Sequence, residues 1–200
     1  MKWSDVTVGQ YQQLVELGKM ELTEEELTHE SVAVVYGMTA NEVKKLAPEK
    51  LGALIGSLAF IKTEVVPVKV KRIKAGKHWY TFDSNLKELK TSKYVETKYF
   101  QQDFAGNIHN LLAVYCVPLK WGLIPTTYDI SDFELHAERL KAAKLPEAMG
   151  VLLFFCPLLL NLTAGILGYS TRQLMTKERE LIEKCLTLLP NNMAGSIRLV

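Results

Sequence analysis

The sequence predicts a mainly α-helical protein of the α+β class: a bundle of short helices, one small β-hairpin and a C-terminal helical region. Three observations support this fold class. Apolar residues recur at helical spacing through most of the 200 residues, Thr/Glu and Ser/Glu capping boxes mark helix starts, and only one stretch shows the alternation of a strand. We therefore divide the chain into residues 1–62, 63–90 and 91–200.

Residues 1–62 are predicted to form the N-terminal helical bundle, because short amphipathic segments follow one another there with clear start signals. In a capping box, the Thr hydroxyl accepts from the amide three residues on, and the Glu carboxylate reaches back to the Thr amide. The signals are, in order, an apolar stripe from Val8 to Val15, capping boxes at Thr23/Glu26 and Thr39/Glu42, Pro48 at a first helical position, and a stripe from Leu51 to Ile61.

Residues 63–90 contain the predicted β-hairpin. Val66, Val68 and Val70 alternate with polar residues or proline, a turn follows at 75–77, and residues 78–82 are rich in strand formers. Lysines beside aromatic residues in 68–82 leave a nucleic-acid-binding module open as an alternative. Lysines also protect exposed strand edges, and no recognised single-strand signature is present, so nucleic acid is not the favoured partner.

Residues 91–200 are predicted to be helical again. The predicted features are a helix from Thr91 or Ser92, a helix over 108–115 ending by Pro118, a capping box at Ser131/Glu134, an apolar helix over 146–169 opened by Pro146, and a last helix over 174–189.

The stretch 148–171 contains no charged residue, and its interpretation decides the class of protein. Its length is sufficient for a membrane span, so a single-span or peripheral membrane protein is one alternative. Pro157, Asn161 and several glycines stand against a span, and a buried helix is favoured. A partner-binding surface is the third interpretation. The candidate partner-binding residues are Leu152, Phe155, Leu159, Leu162 and Ile166.

No catalytic, cofactor-binding or metal-binding motif is recognisable, so we expect a protein that is not an enzyme and needs no cofactor. The four histidines lie in separate predicted elements, without metal-ligand spacing. Three widely spaced cysteines indicate reduced thiols rather than a disulfide framework. A net charge of +2 gives no global bias toward nucleic acid or anionic membranes.

Residues 1–104 resemble a family of small bacteriophage structural and tail-assembly proteins. The resemblance rests on the opening KWSDVTVGQYQQL (Lys2–Leu14), on an acidic capping box with an apolar helix ending YGMT (Tyr36–Thr39), on the following NEVKKL (Asn41–Leu46), and on the hairpin with Gly76-Lys77. Residues 105–200 share only a helical, apolar character with the family.

The resemblance implies a virion-morphogenesis protein that acts by protein–protein interaction. Its role would be a structural component of the tail or neck, or a tail assembly chaperone that covers the apolar helix of the tape-measure protein. It further implies a homo-oligomer or ring, located in the bacterial host cytoplasm during assembly and in the virion if the protein is retained. No catalytic residue carries over.

Overall fold

The computed structural model describes residues 1–82, 91–126 and 130–155 of the chain. Across these residues the fold is mainly helical with one four-stranded antiparallel sheet, which confirms the predicted fold class. The predicted helix over 174–189 and most of the stretch 148–171 lie outside the described residues.

Helices occupy most of residues 1–62, and the signals that predicted them are confirmed. Their bounds are α1 Val8–Leu17, α2 Glu24–Tyr36, α3 Ala40–Lys44 and α4 Pro48–Ser57, followed by a 3₁₀ turn at Leu58–Lys62. Thr23 Oγ1 accepts a hydrogen bond of 3.2 Å from the Glu26 amide, and Thr39 Oγ1 accepts one of 3.3 Å from the Glu42 amide. Local polar chemistry therefore sets where α2 and α3 begin.

The sheet consists of two hairpins that pair side by side. Its strands are β1 Arg72–Ala75, β2 His78–Phe82, β3 Cys116–Lys120 and β4 Ile124–Pro125, in the order β1-β2-β3-β4. The hairpin predicted around Gly76 is present, but β3 and β4 lie in a region where only helices were expected.

The strand predicted over Val66, Val68 and Val70 is wrong. The segment is irregular, and β1 begins only at Arg72. The Val68 amide donates to the Pro146 carbonyl at 2.9 Å, at the start of a later helix. The valine alternation therefore belongs to an extended segment that lies against a helix.

The remaining helices are α5 Thr91–Phe100, α6 Ile108–Tyr115, α7 Phe133–Leu140 and α8, which is described over residues 145–155. The capping box predicted at Ser131/Glu134 is wrong, because Asp132 occupies the N-cap of α7 and its side chain makes no capping hydrogen bond. Helix α8 begins one residue before Pro146.

Two apolar cores lie within the described residues. The larger joins α1, the sheet, α6, α7 and α8, so the basic hairpin shares its core with residues 108–155. Its largest fully buried members include Ile73, Tyr80, Ile108, Leu112, Leu140, Leu145 and Phe155. The smaller core belongs to residues 1–62 and contains Val6, Val32, Ala33, Val35, Val43, Leu58 and Phe60.

The N-terminal segment connects the two cores. Trp3 packs edge-on against Tyr11 and Phe60, with ring centroids 6.0 and 5.1 Å apart, and its indole donates to the Thr63 carbonyl at 2.8 Å. The Val6 carbonyl accepts from the Leu145 amide at 3.0 Å. The opening motif therefore fixes the start of α8.

Candidate functional site

Two of the five candidate partner-binding residues, Leu152 and Phe155, lie in the core of the chain itself. Their exposed fractions are 3% and 1%. The Phe155 ring stacks on Tyr115 with centroids 4.1 Å apart and an interplanar angle of 9°. Both residues are thus inaccessible to a partner in this conformation, as the buried-helix interpretation expects. Leu159, Leu162 and Ile166 lie outside the described residues.

The membrane alternative concerns the same stretch. Among the described residues, none of the helices has the length and apolar character needed to cross a membrane. Residues 156–171, the larger part of the stretch, lie outside that search.

The outer face of the sheet carries exposed tryptophans and cations. Antiparallel pairing places Lys74 opposite Trp79, and Trp79 opposite Leu119. Since side chains alternate between the faces of a strand, the neighbouring Ile73 and Tyr80 point to the other face, where they are fully buried. Trp79 is 39% exposed. The sheet therefore has one core face and one face on which Trp79 is partly exposed while Leu119 opposite it is buried.

The turn between β3 and β4 contains a second tryptophan and contacts the first through its backbone. Trp121 and Gly122 both have positive φ, 53° and 73°. A Cβ on Gly122 would lie 3.3 Å from Trp79 Cδ1, so the turn backbone touches the Trp79 ring. Arg72 Nη1 donates to the Gly122 carbonyl at 3.0 Å from the far edge of the sheet. Arg72 thus ties the two hairpins together across this face.

The backbone of Trp121 is strained. The left-handed conformation costs a non-glycine residue about 1–2 kcal/mol, and it is usual only for Gly, Asn and Asp. Trp121 is 79% exposed. Its ring therefore gains little free energy from burial among the described residues that could offset this conformational cost. Strained residues cluster at functional sites, which draws attention to this turn.

Each tryptophan has a cation over its ring. Lys74 Nζ lies 5.6 Å from the Trp79 ring centroid, and Lys120 Nζ lies 4.8 Å from that of Trp121. Leu123 completes an exposed apolar patch beside them. We call this set the two-tryptophan surface; it consists of Arg72, Lys74, Trp79, Lys120, Trp121 and Leu123.

Half of the two-tryptophan surface was missed in the sequence. The sequence predicts the basic hairpin that contains Trp79, whereas it predicts no strand or hairpin around Trp121. The available signal was the Trp121-Gly122 pair, because a glycine after an aromatic residue between short apolar runs is typical of a hairpin turn.

A cavity of about 540 Å³ lies on another side of the molecule, between α1 and the start of α6. Gln12 Nε2 donates to the Ala105 carbonyl at 3.2 Å and lies 2.9 Å from His109 Nδ1, which must therefore accept. Burial, followed by the charge of Lys141, lowers the pKa of His109. Gln12 Oε1 accepts no hydrogen bond from the described residues. Polar side chains line only part of this cavity, and they lack an arrangement typical of catalysis.

Cys116 is the cysteine that the described residues contain, and its thiol is buried. Burial raises the pKa of the Cys116 thiol to about 12, so the thiolate that would act as a nucleophile is scarce at neutral pH. Within the described ranges, no three His, Cys, Asp or Glu residues are grouped to hold a metal ion.

Comparisons of the chain with protein-family models, with curated proteins and with solved structures found no match. The resemblance of residues 1–104 to phage tail-assembly proteins therefore stays a prediction.

Proposed function

We propose that this chain is a non-enzymatic bacteriophage virion-morphogenesis protein that acts by protein–protein interaction. It serves as a structural component of the tail or neck, or as a tail assembly chaperone. The motifs in residues 1–104 support the family, and the apolar sequence that continues α8 supports the mode of action.

The observation that carries the proposal is that the sequence after residue 147 contains more apolar residues than one core-facing helix stripe needs. A helix that packs on one core needs an apolar stripe on only one side. Helix α8 supplies that stripe with Ala148, Val151, Leu152 and Phe155, all buried. Phe154 is nevertheless 39% exposed on the same helix, and residues 156–171 add sixteen further positions without a charge. This excess is suited to a partner's apolar helix.

The opening motif supports the same proposal, because its residues hydrogen-bond to the residues at the start of α8 and just before it. The Val8 amide donates to the Ala143 carbonyl at 2.9 Å, and the Gly9 amide donates to the Lys141 carbonyl at 2.8 Å. Together with the bond from Leu145 to Val6, these contacts fix the residues that lead into α8. The motif thus fixes the start of α8, the helix in which the apolar run begins.

We expect Leu159→Asp to abolish partner binding, because a carboxylate would be buried without a partner in an apolar interface. The measurement is co-expression of the chain with the tape-measure and tail proteins of its phage, followed by co-purification on a tag. We expect recovery of the partner to fall at least about tenfold, as is typical for loss of an interface anchor.

Asn161→Asp is the matched control, since it adds the same charge to the same segment at a position that is already polar. It should retain partner recovery. Normal solubility and normal recovery for Leu159→Asp would remove this segment from the proposal. Failure of the unmodified chain to bind any tail or neck protein would contradict the proposal itself.

A further inference from the structure

We propose that the two-tryptophan surface binds single-stranded nucleic acid, DNA and RNA alike, with indoles stacking on bases and cations contacting phosphates. This binding is independent of the proposed morphogenesis function, which involves the apolar sequence after residue 147. Four features of the surface support it: aromatic exposure, unpaired positive charge, backbone preorganisation, and a composition unlike that of a protein interface.

The aromatic groups are arranged as a stacking platform. Trp121 is 79% exposed, and the Trp79 ring contacts the backbone of Gly122, the residue that follows Trp121. Every base has a π-face, so exposed aromatic rings bind single strands without requiring a particular sequence. Two exposed indoles, one on strand β2 and one in the β3–β4 turn that contacts it, offer stacking positions for bases.

The charge around these rings suits a phosphate backbone. Residues 62–82 contain six lysines or arginines and a single carboxylate, Glu64, and Lys120 adds a cation on the neighbouring hairpin. Among the described residues, no carboxylate lies within salt-bridge distance of Arg72, Lys74 or Lys120. These charges are therefore available to phosphates, whose contacts release bound counterions.

The second hairpin holds the platform in place before any ligand arrives. Arg72 bonds to the Gly122 carbonyl, and the turn backbone contacts the Trp79 ring, so the fold sets the position of the turn that carries Trp121 relative to Trp79. The strained φ of Trp121 is consistent with a side chain retained for binding rather than for stability.

The composition of the surface favours nucleic acid over a protein partner and over simple protection of a strand edge. Tryptophan and arginine are frequent in both kinds of interface, so the distinction rests on lysine, which is depleted at protein–protein interfaces and here accompanies both tryptophans. Protection of a strand edge by lysines accounts for Lys74 on edge strand β1, but it does not require exposed indoles on β2 and in the β3–β4 turn. The β1–β2 hairpin by itself does not favour nucleic acid as a partner. The hairpin together with Trp121 and Lys120 does favour it.

The test is fluorescence anisotropy of the full chain with labelled (dT)20, (rU)20 and a 20-base-pair duplex. We expect the two single strands to bind within about threefold of each other, and the duplex to bind more weakly because its base faces are covered. With about three phosphate contacts, affinity should fall roughly 20-fold between 50 and 200 mM salt.

Three variants locate the site. Trp121→Asn should weaken binding at least about fivefold, the lower limit for one lost stacking contact. Asparagine tolerates a positive φ, so this variant should unfold at the same temperature as the unmodified chain or higher. Lys74→Glu with Lys120→Glu should weaken binding further. Lys45→Glu with Lys50→Glu makes the same change in net charge at exposed positions of the N-terminal bundle, and it should leave most of the affinity intact.

Several results would overturn the proposal. The first is that neither single strand binds at 50 mM salt and 10 µM protein. The second is that Trp121→Asn binds with unchanged affinity. The third is that the Lys45/Lys50 control loses as much affinity as the Lys74/Lys120 variant. Displacement of the oligonucleotide by poly-glutamate at matched charge would also overturn it, and would assign the surface to an acidic protein instead.

Discussion

Gly150→Ala is expected to destabilise the protein by about 3 kcal/mol, near the upper end of the usual cost of overpacking. A Cβ at this position of α8 would overlap the Val68 carbonyl oxygen and lie 2.7 Å from the Val68 carbonyl carbon. Both are backbone atoms, so no side-chain rotation relieves the overlap. The extended segment around Val68 would have to leave α8, and the bond from its amide to Pro146 would be lost with it.

Thermal unfolding measures this effect, with Gly52→Ala as the matched control. For a domain of this size, 1 kcal/mol corresponds to about 2–4 °C in Tm, so Gly150→Ala should lower Tm by about 6–12 °C. Gly52 lies within α4, with no atom within 4 Å of an added Cβ. There the same substitution should raise stability by about 0.5–1 kcal/mol, because alanine favours the helix. Equal Tm values for the two variants would contradict the placement of residues 66–70 on α8.

Phe155→Ala is expected to cost about 3–5 kcal/mol, the range for removing a large aromatic side chain from a core. Phe155 is fully buried, stacks on Tyr115 and contacts Phe82 edge-on with centroids 5.9 Å apart. Its loss would leave a cavity where α6, β2 and α8 meet. Urea unfolding measures the change in free energy.

Phe154→Ala provides the comparison, because it removes the same side chain from the adjacent position of α8. Phe154 is 39% exposed, so its loss should cost about 1–2 kcal/mol, in proportion to the buried part of its ring. If Phe155→Ala lowered the free energy of unfolding no more than Phe154→Ala, then α8 would not pack on the core through the face that carries Phe155.

Features encoded within a few residues were predictable from the sequence. The starts of α2 and α3 follow from Thr23/Glu26 and Thr39/Glu42, since a capping box needs only residues three apart. The hairpin turn at Gly76 is local in the same sense, because Gly76 supplies the φ of 59° that the turn requires. Such signals do not depend on the rest of the chain.

Features set by distant pairing were not predictable. Strand β3 contains Pro118, and a proline lowers the expectation of a strand when only the sequence is considered. The strand nevertheless pairs with β2, opposite Tyr80 and Phe82. Val66 and Val68 alternate as a strand would, yet they are exposed and have no strand partner among the described residues. The contact of the Trp121 turn with Trp79 depends on the same β2–β3 pairing, so the candidate surface was recognisable only in part.

The most direct test of the proposed function is quantitative mass spectrometry of purified phage particles against the crude lysate that produced them. The proposal predicts that the chain is abundant in at least one of the two samples. A fixed copy number in particles would identify a structural component, and abundance in the lysate alone would identify an assembly chaperone. Absence from both would contradict the phage-morphogenesis function.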